Sequence, residues 1–216
     1  MIRFGWAALN CSIFENRLEA VRELHEITEN TILDEKKTFE EFIEREASKL
    51  DEEIRERFYD HYHDEHLKYR DDFPNISRSS LFMNCFFSLE NFLYEWCCYF
   101  DNNSEIKFKD AKDKGLRKYR NYLKQFVTDT NFFATPLWES IMFYQDLRNA
   151  LAHSNGNLDM SSNVSLINKL KKEKNVTLTK YGEIRLNEDF INEVTDKLQA
   201  FSDGLYEQLE HLSRRK

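Results

Sequence analysis

Glycine and proline are scarce in this chain of 216 residues, which contains five glycines and two prolines. So few turn-forming residues exclude a β-rich protein with many tight turns and a linker-rich chain. The 18 phenylalanines and the hydrophobic fraction of 41% exclude a disordered chain. The long stretches without a helix breaker favour helices, and the length suits one domain with a substantial core.

Cysteines and long apolar runs are also few. The four cysteines lie in apolar surroundings and form no CxxC pair, so we expect free, buried thiols in a reducing cytoplasm and no structural zinc site. The N-terminal segment has too few apolar residues for a signal peptide. The richest apolar stretch, residues 81–100, is interrupted by polar side chains, so we expect a cytoplasmic protein without a membrane segment.

Apolar periodicity predicts an all-α, up-down helical bundle with a long N-terminal helical hairpin. We expect one helix over residues 11–29 and a second from 31–34 to about 70, with an apolar stripe over residues 39–62. Such a second helix would be about 55 Å long, so it is expected to form a hairpin with the first or to pack on a partner. Residues 1–73 then form a helical arm that packs on the bundle of residues 74–216, in one continuous structural unit.

The rest of the chain predicts further helices and a small β-hairpin around Tyr181-Gly182. Thr135 and Pro136 suit the start of a helix, whereas the segment 71–75 is expected to end one. We expect helices at about 77–100, 105–127 (with Gly115 inside), 136–153 and 187–212, and hairpin strands at 176–180 and 183–186.

An arginine and a histidine stand five positions apart near the end of the helix predicted over 136–153. Arg148 is followed by the polar Asn149, and His153 by the turn Ser154-Asn155-Gly156-Asn157. This segment resembles the motif of the HEPN superfamily (higher eukaryotes and prokaryotes nucleotide-binding domain), in which an arginine and a histidine enclose four to six residues. Glu90, on the preceding hydrophobic helix, resembles the acidic residue that faces the motif in such domains. The resemblance covers about residues 77–212.

These residue types suit metal-independent cleavage of RNA. RNA carries its own nucleophile, the 2′-OH, so the protein supplies a base, an acid and a positive donor for the phosphorane. Histidine exchanges protons near neutral pH, which suits His153 as general acid or base. The guanidinium fork of Arg148 suits two phosphate oxygens. We expect Asn149 to position these groups and Glu90 to orient Arg148 or His153, with no metal or cofactor, giving a 2′,3′-cyclic phosphate and a 5′-OH.

The spacing of the motif imposes a geometric constraint. On an ideal helix, Arg148 and His153 lie about 140° apart, with a rise of about 7.5 Å between them. Either the helix loosens at residues 152–156 and turns His153 inward, or two copies of the motif meet across a two-fold axis. The resemblance implies the second arrangement, a homodimer with a shared site. Its likeness to defence proteins also implies a toxin or abortive-infection role, restrained by an antitoxin or regulatory protein.

The formal net charge of −8 argues at first against a nucleic-acid binder. The charge is unevenly divided, however: residues 15–66 carry 18 acids and 8 bases, whereas residues 107–124 carry eight bases and two acids. We expect the basic segment to bind RNA, unless it is simply a solvated helix face. The residues assigned to this role are Arg117, Lys118 and Arg120, with Tyr119 and Tyr122 for stacking on bases.

Other readings of the sequence remain open. Three histidines close in sequence, His61, His63 and His66, suggest a metal site. Only His63 and His66 are neighbours on a helix, and no remote ligand is evident, so we assign no metal. The chain can also be a non-catalytic RNA- or nucleotide-binding HEPN module. A third possibility is a helical interaction or adaptor protein that uses its long arm.

Overall fold

The computed structural model describes the backbone of residues 2–101, 104, 106–154, 156–159 and 161–214, and the side chains of this set from residue 5 to residue 210. It confirms the all-α class with one antiparallel hairpin before the last helix. The helices are α1 (Ile2–Ala47), α2 (Glu52–Leu67), α3 (Phe73–Asp101), α4 (Leu116–Leu123), α5 (Pro136–Ser154), α6 (Val164–Leu170) and α7 (Phe190–Arg214), and the strands are β1 (Val176–Leu178) and β2 (Ile184–Leu186).

Helix α3 is the centre of the bundle. Its buried side chains point in several directions, and α1, α4, α5 and α7 all pack against it. The first half of α1 belongs to this core, since Phe14 is buried and stacks on Phe92 with 4.5 Å between ring centroids. The four cysteines are free, and Cys98 is half-buried whereas the other three are buried. Among the described helices, none has the length and apolarity to cross a membrane.

Helix α1 is continuous, so the predicted division into two helices near residues 29–34 is wrong. The stretch contains no glycine or proline, and its threonines do not start a new helix. The Thr31 hydroxyl instead donates to the Ile27 carbonyl one turn earlier, at 2.8 Å. A threonine whose hydroxyl is satisfied inside the helix has no need of a capping position.

The arm breaks at residues 48–51, where the chain turns back into α2. Arg55 donates to the Ala47 carbonyl at 3.1 Å, which satisfies an acceptor at the end of α1. The apolar residues predicted to form a stripe on one helix are therefore divided between α1 and α2, which pack on each other. The rings of Phe39 and Tyr62 meet edge to face, with 6.1 Å between their centroids. The C-terminal half of α1 and α2 form a helical hairpin.

The prediction that residues 71–75 end a helix is also wrong. The helical chain continues through a π-helical turn, Lys68–Asp72, into α3. Pro74 lacks an N–H group, and its ring would meet a carbonyl one turn earlier in a regular α-helix. The wider turn directly before Pro74 removes that conflict.

The basic segment forms less helix than predicted. A 3-10 turn at Phe108–Asp110 is followed by α4, which begins only at Leu116. Asp113 and Gly115 have φ angles of 78° and 56°, in the left-handed region that a right-handed helix cannot contain. Helix α6, with seven residues, is not predicted at all, because so short a segment carries too little periodicity.

A largely buried ion pair joins α1, α3 and β2. Arg78 donates to the Glu29 carboxylate at 2.8 and 2.6 Å and to the Leu186 carbonyl at 2.8 Å. Because Arg78→Ala leaves that carboxylate without its main partner, we expect the free energy of unfolding to fall by about 3 kcal/mol. Urea denaturation measures the change. As a control, Arg45→Ala removes an exposed pair with Glu46 and should cost less than about 0.5 kcal/mol; equal losses would contradict the expectation.

Candidate functional site

Local sequence signals begin the motif helix α5 where predicted. Pro136 is its first residue, where the missing N–H costs nothing. The Thr135 hydroxyl accepts a hydrogen bond from the Trp138 N–H at 3.3 Å, as expected of an N-cap. One face of α5 is then anchored in the core by Ile141, Tyr144 and Leu147, which fixes the direction of the motif residues that follow.

Helix α5 ends directly after His153. Gly156 adopts a left-handed conformation, with φ of 75°, and its N–H donates to the Ala150 carbonyl at 3.3 Å. The Ile184 N–H donates to the Gly156 carbonyl at 2.8 Å, so the end of α5 is attached to β2. Asn155, in the predicted turn, lies outside the described residues. The helix does not loosen before the histidine, so the first of the two geometric possibilities is not adopted.

Arg148 is directed toward α3. Its guanidinium carbon lies 5.2 and 5.4 Å from the ring centroids of Phe86 and Phe87. Its Nη2 lies 3.4 Å from Glu90 Oε2, and its Nη1 donates to Asn149 Oδ1 at 3.1 Å. Within the described residues, its buried Nε has no hydrogen-bond partner. The structure therefore brings three of the four candidate catalytic residues together.

The Glu90 carboxylate lies beside the Arg148 guanidinium. Burial raises the pKa of Glu90, although the charge of Arg148 acts in the opposite direction. The distance of 3.4 Å between the two groups exceeds the roughly 2.8 Å of a strong charge-assisted hydrogen bond. The contact between the guanidinium and the carboxylate is therefore a weak one.

The raised pKa of Glu90 has a consequence for stability. A carboxyl whose pKa is higher in the folded state favours folding when protonated, and this contribution is lost as the pH rises through the folded-state pKa. Glu90→Gln keeps a neutral side chain at every pH. We expect the free energy of unfolding of the wild type to fall relative to Glu90→Gln between pH 4 and pH 8. Urea denaturation across this range measures the difference, and a constant difference would contradict the expectation.

His153 is exposed in the last turn of α5 and lines a pocket of about 600 Å³ between α5 and α6. Asn149, one turn earlier, lines the same pocket, whereas Arg148 does not. Arg148 and His153 thus lie on different faces of α5, as the helical spacing predicts. Within one chain, therefore, Arg148 and His153 do not line a common site. Asn149 is near both, since it accepts a hydrogen bond from Arg148 and lines the pocket of His153.

The basic helix α4 packs against α3, and its N-terminus is hydrogen-bonded to the motif helix α5. The Leu116 N–H donates to Gln145 Oε1 at 2.9 Å, about one turn before the motif arginine. Arg117 is exposed, and Lys118 and Arg120 are half-buried. The three predicted RNA-binding cations are therefore at least partly accessible, on a helix whose first residue contacts the helix that carries the motif.

The two tyrosines of α4 have different surroundings. Tyr122 is buried, its ring contacts Phe108 at 5.3 Å, and its hydroxyl donates to Asp101 at 3.3 Å. It is a core residue, so the expectation that its ring stacks on a base is not met. Tyr119 is half-buried and stacks on the same Phe108 ring, at 5.5 Å, and keeps part of its surface accessible.

One exposed feature of α3 was missed by sequence reasoning, because residues 77–100 read as apolar nearly all round. Phe87 and Tyr94 are 51% and 46% exposed. Together with the exposed Asn84 and Asn91 they recur at intervals of three and four residues along one line, which we name the α3 stripe. The two asparagines that alternate with the aromatic residues are the signal that reveals it. The stripe adjoins the site, since Phe87 contacts the motif arginine.

The histidines of the arm lie on α2, in the hairpin that α2 forms with α1. His63 and His66 line a crevice between α1 and α2, and the His66 Nδ1 is 3.8 Å from Glu40 Oε1. His61 contacts Tyr62 with its ring edge, at 4.9 Å. In the part of the chain that the structure describes, no group of three or more potential ligands is arranged to hold a metal ion.

Comparisons of this chain with family models, with curated proteins and with solved structures find no match.

Proposed function

We propose that this chain is a metal-independent endoribonuclease of the HEPN type, a toxin or antiphage defence effector whose active site is shared by two copies. The observation that carries the proposal is the division of the motif over two faces of α5. Arg148 lies against α3, beside Glu90 and Phe87, whereas His153 is exposed on the pocket between α5 and α6. In the proposed dimer, Arg148 of one copy stabilises charge and His153 of the other copy transfers protons, so that each of the two sites contains one residue from each copy.

The proposed reaction uses these halves in one displacement. The substrate 2′-OH attacks the adjacent phosphorus and loses its proton to a base, the bond from phosphorus to the 5′-oxygen breaks, and that oxygen gains a proton. His153 is the general acid or base of this exchange. Arg148 binds the non-bridging oxygens and stabilises the negative charge of the phosphorane. Asn149 positions the two groups, and Glu90 orients Arg148.

We place the contact between the two copies along the α3 stripe. Its spacing of three and four residues is the spacing that packs one helix against another. Its aromatic members expose large apolar rings, which gain free energy when a partner covers them. Because Phe87 contacts the Arg148 guanidinium, a partner seated on the stripe comes to lie beside the catalytic arginine.

The substrate path along α4 is supported by the position of the basic segment. The segment carries an excess of six positive charges, and it is joined to α5 by the hydrogen bond from the Leu116 N–H to Gln145 Oε1, three residues before Arg148. The chain's net charge of −8 is an average over this segment and the acidic residues 15–66. We propose that Arg117, Lys118 and Arg120 contact the RNA backbone.

Replacement of these three cations by alanine should weaken RNA binding without unfolding the protein. Loss of three phosphate contacts should also reduce the slope of log affinity against log salt concentration by about 2. Fluorescence anisotropy with a labelled single-stranded RNA measures both quantities. The matched control replaces Lys171, Lys172 and Lys174, and should have the smaller effect; equal affinities for all three proteins would mean that α4 is a solvated helix face.

Expression in a bacterial host tests the proposed function. We expect the wild type to arrest growth and fragment cellular RNA, because RNA cleavage is toxic, and His153→Ala to do neither. His66→Ala removes an arm histidine and should behave as the wild type. A non-catalytic module predicts RNA binding without fragmentation by any variant, and an adaptor protein predicts neither. Equal RNA integrity with wild type and His153→Ala would overturn the proposal.

A further inference from the structure

The pocket between α5 and α6 has features that proton transfer by His153 does not require. Its volume of about 600 Å³ is within the roughly 300–1,000 Å³ of small-molecule sites. Its wall combines side-chain amides and hydroxyls with apolar surface, and the apolar surface is the somewhat larger share. The polar group includes Asn149, Asn163, Ser162 and Ser165, and the apolar group includes Leu158 and Leu166.

The charges of the pocket disfavour an anion inside it. None of the described residues that line it is lysine or arginine. The carboxylate of Asp146 is paired with Lys169 at 2.7 Å. That of Asp159 accepts hydrogen bonds from the Ser161 hydroxyl at 2.7 Å and from the Ser161 N–H and the Ser162 hydroxyl, both at 2.9 Å, and these bonds lower its pKa. With two carboxylates and neither lysine nor arginine among these residues, the interior suits a neutral ligand rich in hydrogen-bonding groups better than a phosphate.

An RNA nucleotide has such a neutral part next to its phosphate. Side-chain amides both donate and accept hydrogen bonds, as base edges and ribose hydroxyls do. The leucine side chains offer an apolar surface to the face of a base. Because His153 is part of the same wall, a nucleoside seated in the pocket has its sugar and adjoining phosphate beside the imidazole.

We propose that this pocket binds the base and ribose of one nucleotide that flanks the scissile phosphate, while the phosphate itself stays outside, between His153 and the arginine. The inference rests on the proposed function and extends it, since it makes the α5–α6 pocket the place where the enzyme holds, and selects, a nucleotide. Such a pocket also provides binding that is independent of the basic segment of α4.

Two neighbouring positions on α6 give a matched pair of variants. Ser165 lines the pocket, whereas the adjacent Val164 is 54% exposed and does not line it. Ser165→Trp fills the pocket with a large ring, and Val164→Trp places the same ring outside it. Calorimetric titration with the 3′-monophosphates of the four ribonucleosides measures their affinity for the protein. Inorganic phosphate, which lacks the nucleoside, is the control ligand. Circular dichroism melting curves show whether each variant folds.

We expect at least one nucleotide to bind the wild type more tightly than inorganic phosphate does. Filling the pocket with Ser165→Trp should weaken that binding by about tenfold or more, and Val164→Trp by less than about twofold. Failure of all four nucleotides to bind, or equal binding by Ser165→Trp, would overturn the inference. RNA cleavage is assayed in parallel: cleavage that Ser165→Trp leaves unchanged would overturn the pocket alone. Pocket-dependent nucleotide binding without any cleavage would retain the pocket and overturn the nuclease.

Discussion

A mixture of Arg148→Ala and His153→Ala proteins should cleave RNA although each variant alone is nearly inactive. Loss of the charge-stabilising arginine or of the acid–base histidine should each reduce cleavage by about 100-fold or more. In a mixed dimer, one shared site combines the intact arginine of one copy with the intact histidine of the other. The second site of that dimer has neither group. Because random pairing makes half of the dimers mixed, about a quarter of the wild-type activity should return.

Co-expression of two differently tagged variants gives the mixed dimer directly, and tandem affinity purification separates it from the parents. The matched control pairs Arg148→Ala with a chain that lacks both groups, and should recover nothing. If the mixed dimer is no more active than its parents, Arg148 and His153 act within one chain and the shared site is wrong.

Phe87→Asp should separate the two copies and abolish most cleavage at low protein concentration. A carboxylate in the middle of an apolar contact loses its hydration, and the aromatic ring no longer fills the interface. A loss of about 2 kcal/mol, ordinary for a central aromatic residue, raises the dissociation constant of the dimer about 30-fold. Sedimentation at several concentrations measures the association, and cleavage is measured at the same concentrations.

Tyr181→Asp is the control for this substitution, since Tyr181 is 80% exposed in the turn of the hairpin. It should leave both association and cleavage unchanged. In Phe87→Asp, cleavage should recover as the protein concentration is raised and dimers reform. A monomeric Phe87→Asp protein with full activity would contradict the shared site, and an unchanged dimer would place the contact away from the α3 stripe.

The elements that the sequence predicts well are those with strong local signals. Thr135 and Pro136 begin α5, and Gly182, with a φ of 87°, makes the turn between β1 and β2. The elements that it predicts poorly depend on choices between near-equal local alternatives. Thr31 can either cap a new helix or donate its hydroxyl to a carbonyl within a continuous helix. The packing of α1 against α3 and α7 selects the continuous helix, and local sequence does not contain this information.

In the candidate site, too, local features are predicted from the sequence and features set by helix packing are not. The 100° step of a helix predicts that Arg148 and His153 face apart, and they do. That Glu90 lies beside Arg148 rather than His153 depends on how α3 packs against α5. The burial of Tyr122 and the exposure of Phe87 likewise depend on which faces the neighbouring helices cover, information that a single run of apolar residues does not contain.

The chemical nature of the RNA ends formed in excess EDTA decides whether these residues form a ribonuclease site. Purified wild-type protein should cleave a single-stranded RNA without added metal and leave a 2′,3′-cyclic phosphate and a 5′-OH. The fragments should vanish with His153→Ala, and also when the nucleotide at the cleaved position carries a 2′-deoxyribose. Intact RNA after incubation with the wild type, equal cleavage by His153→Ala, or cleavage only with added Mg²⁺ would contradict the proposal.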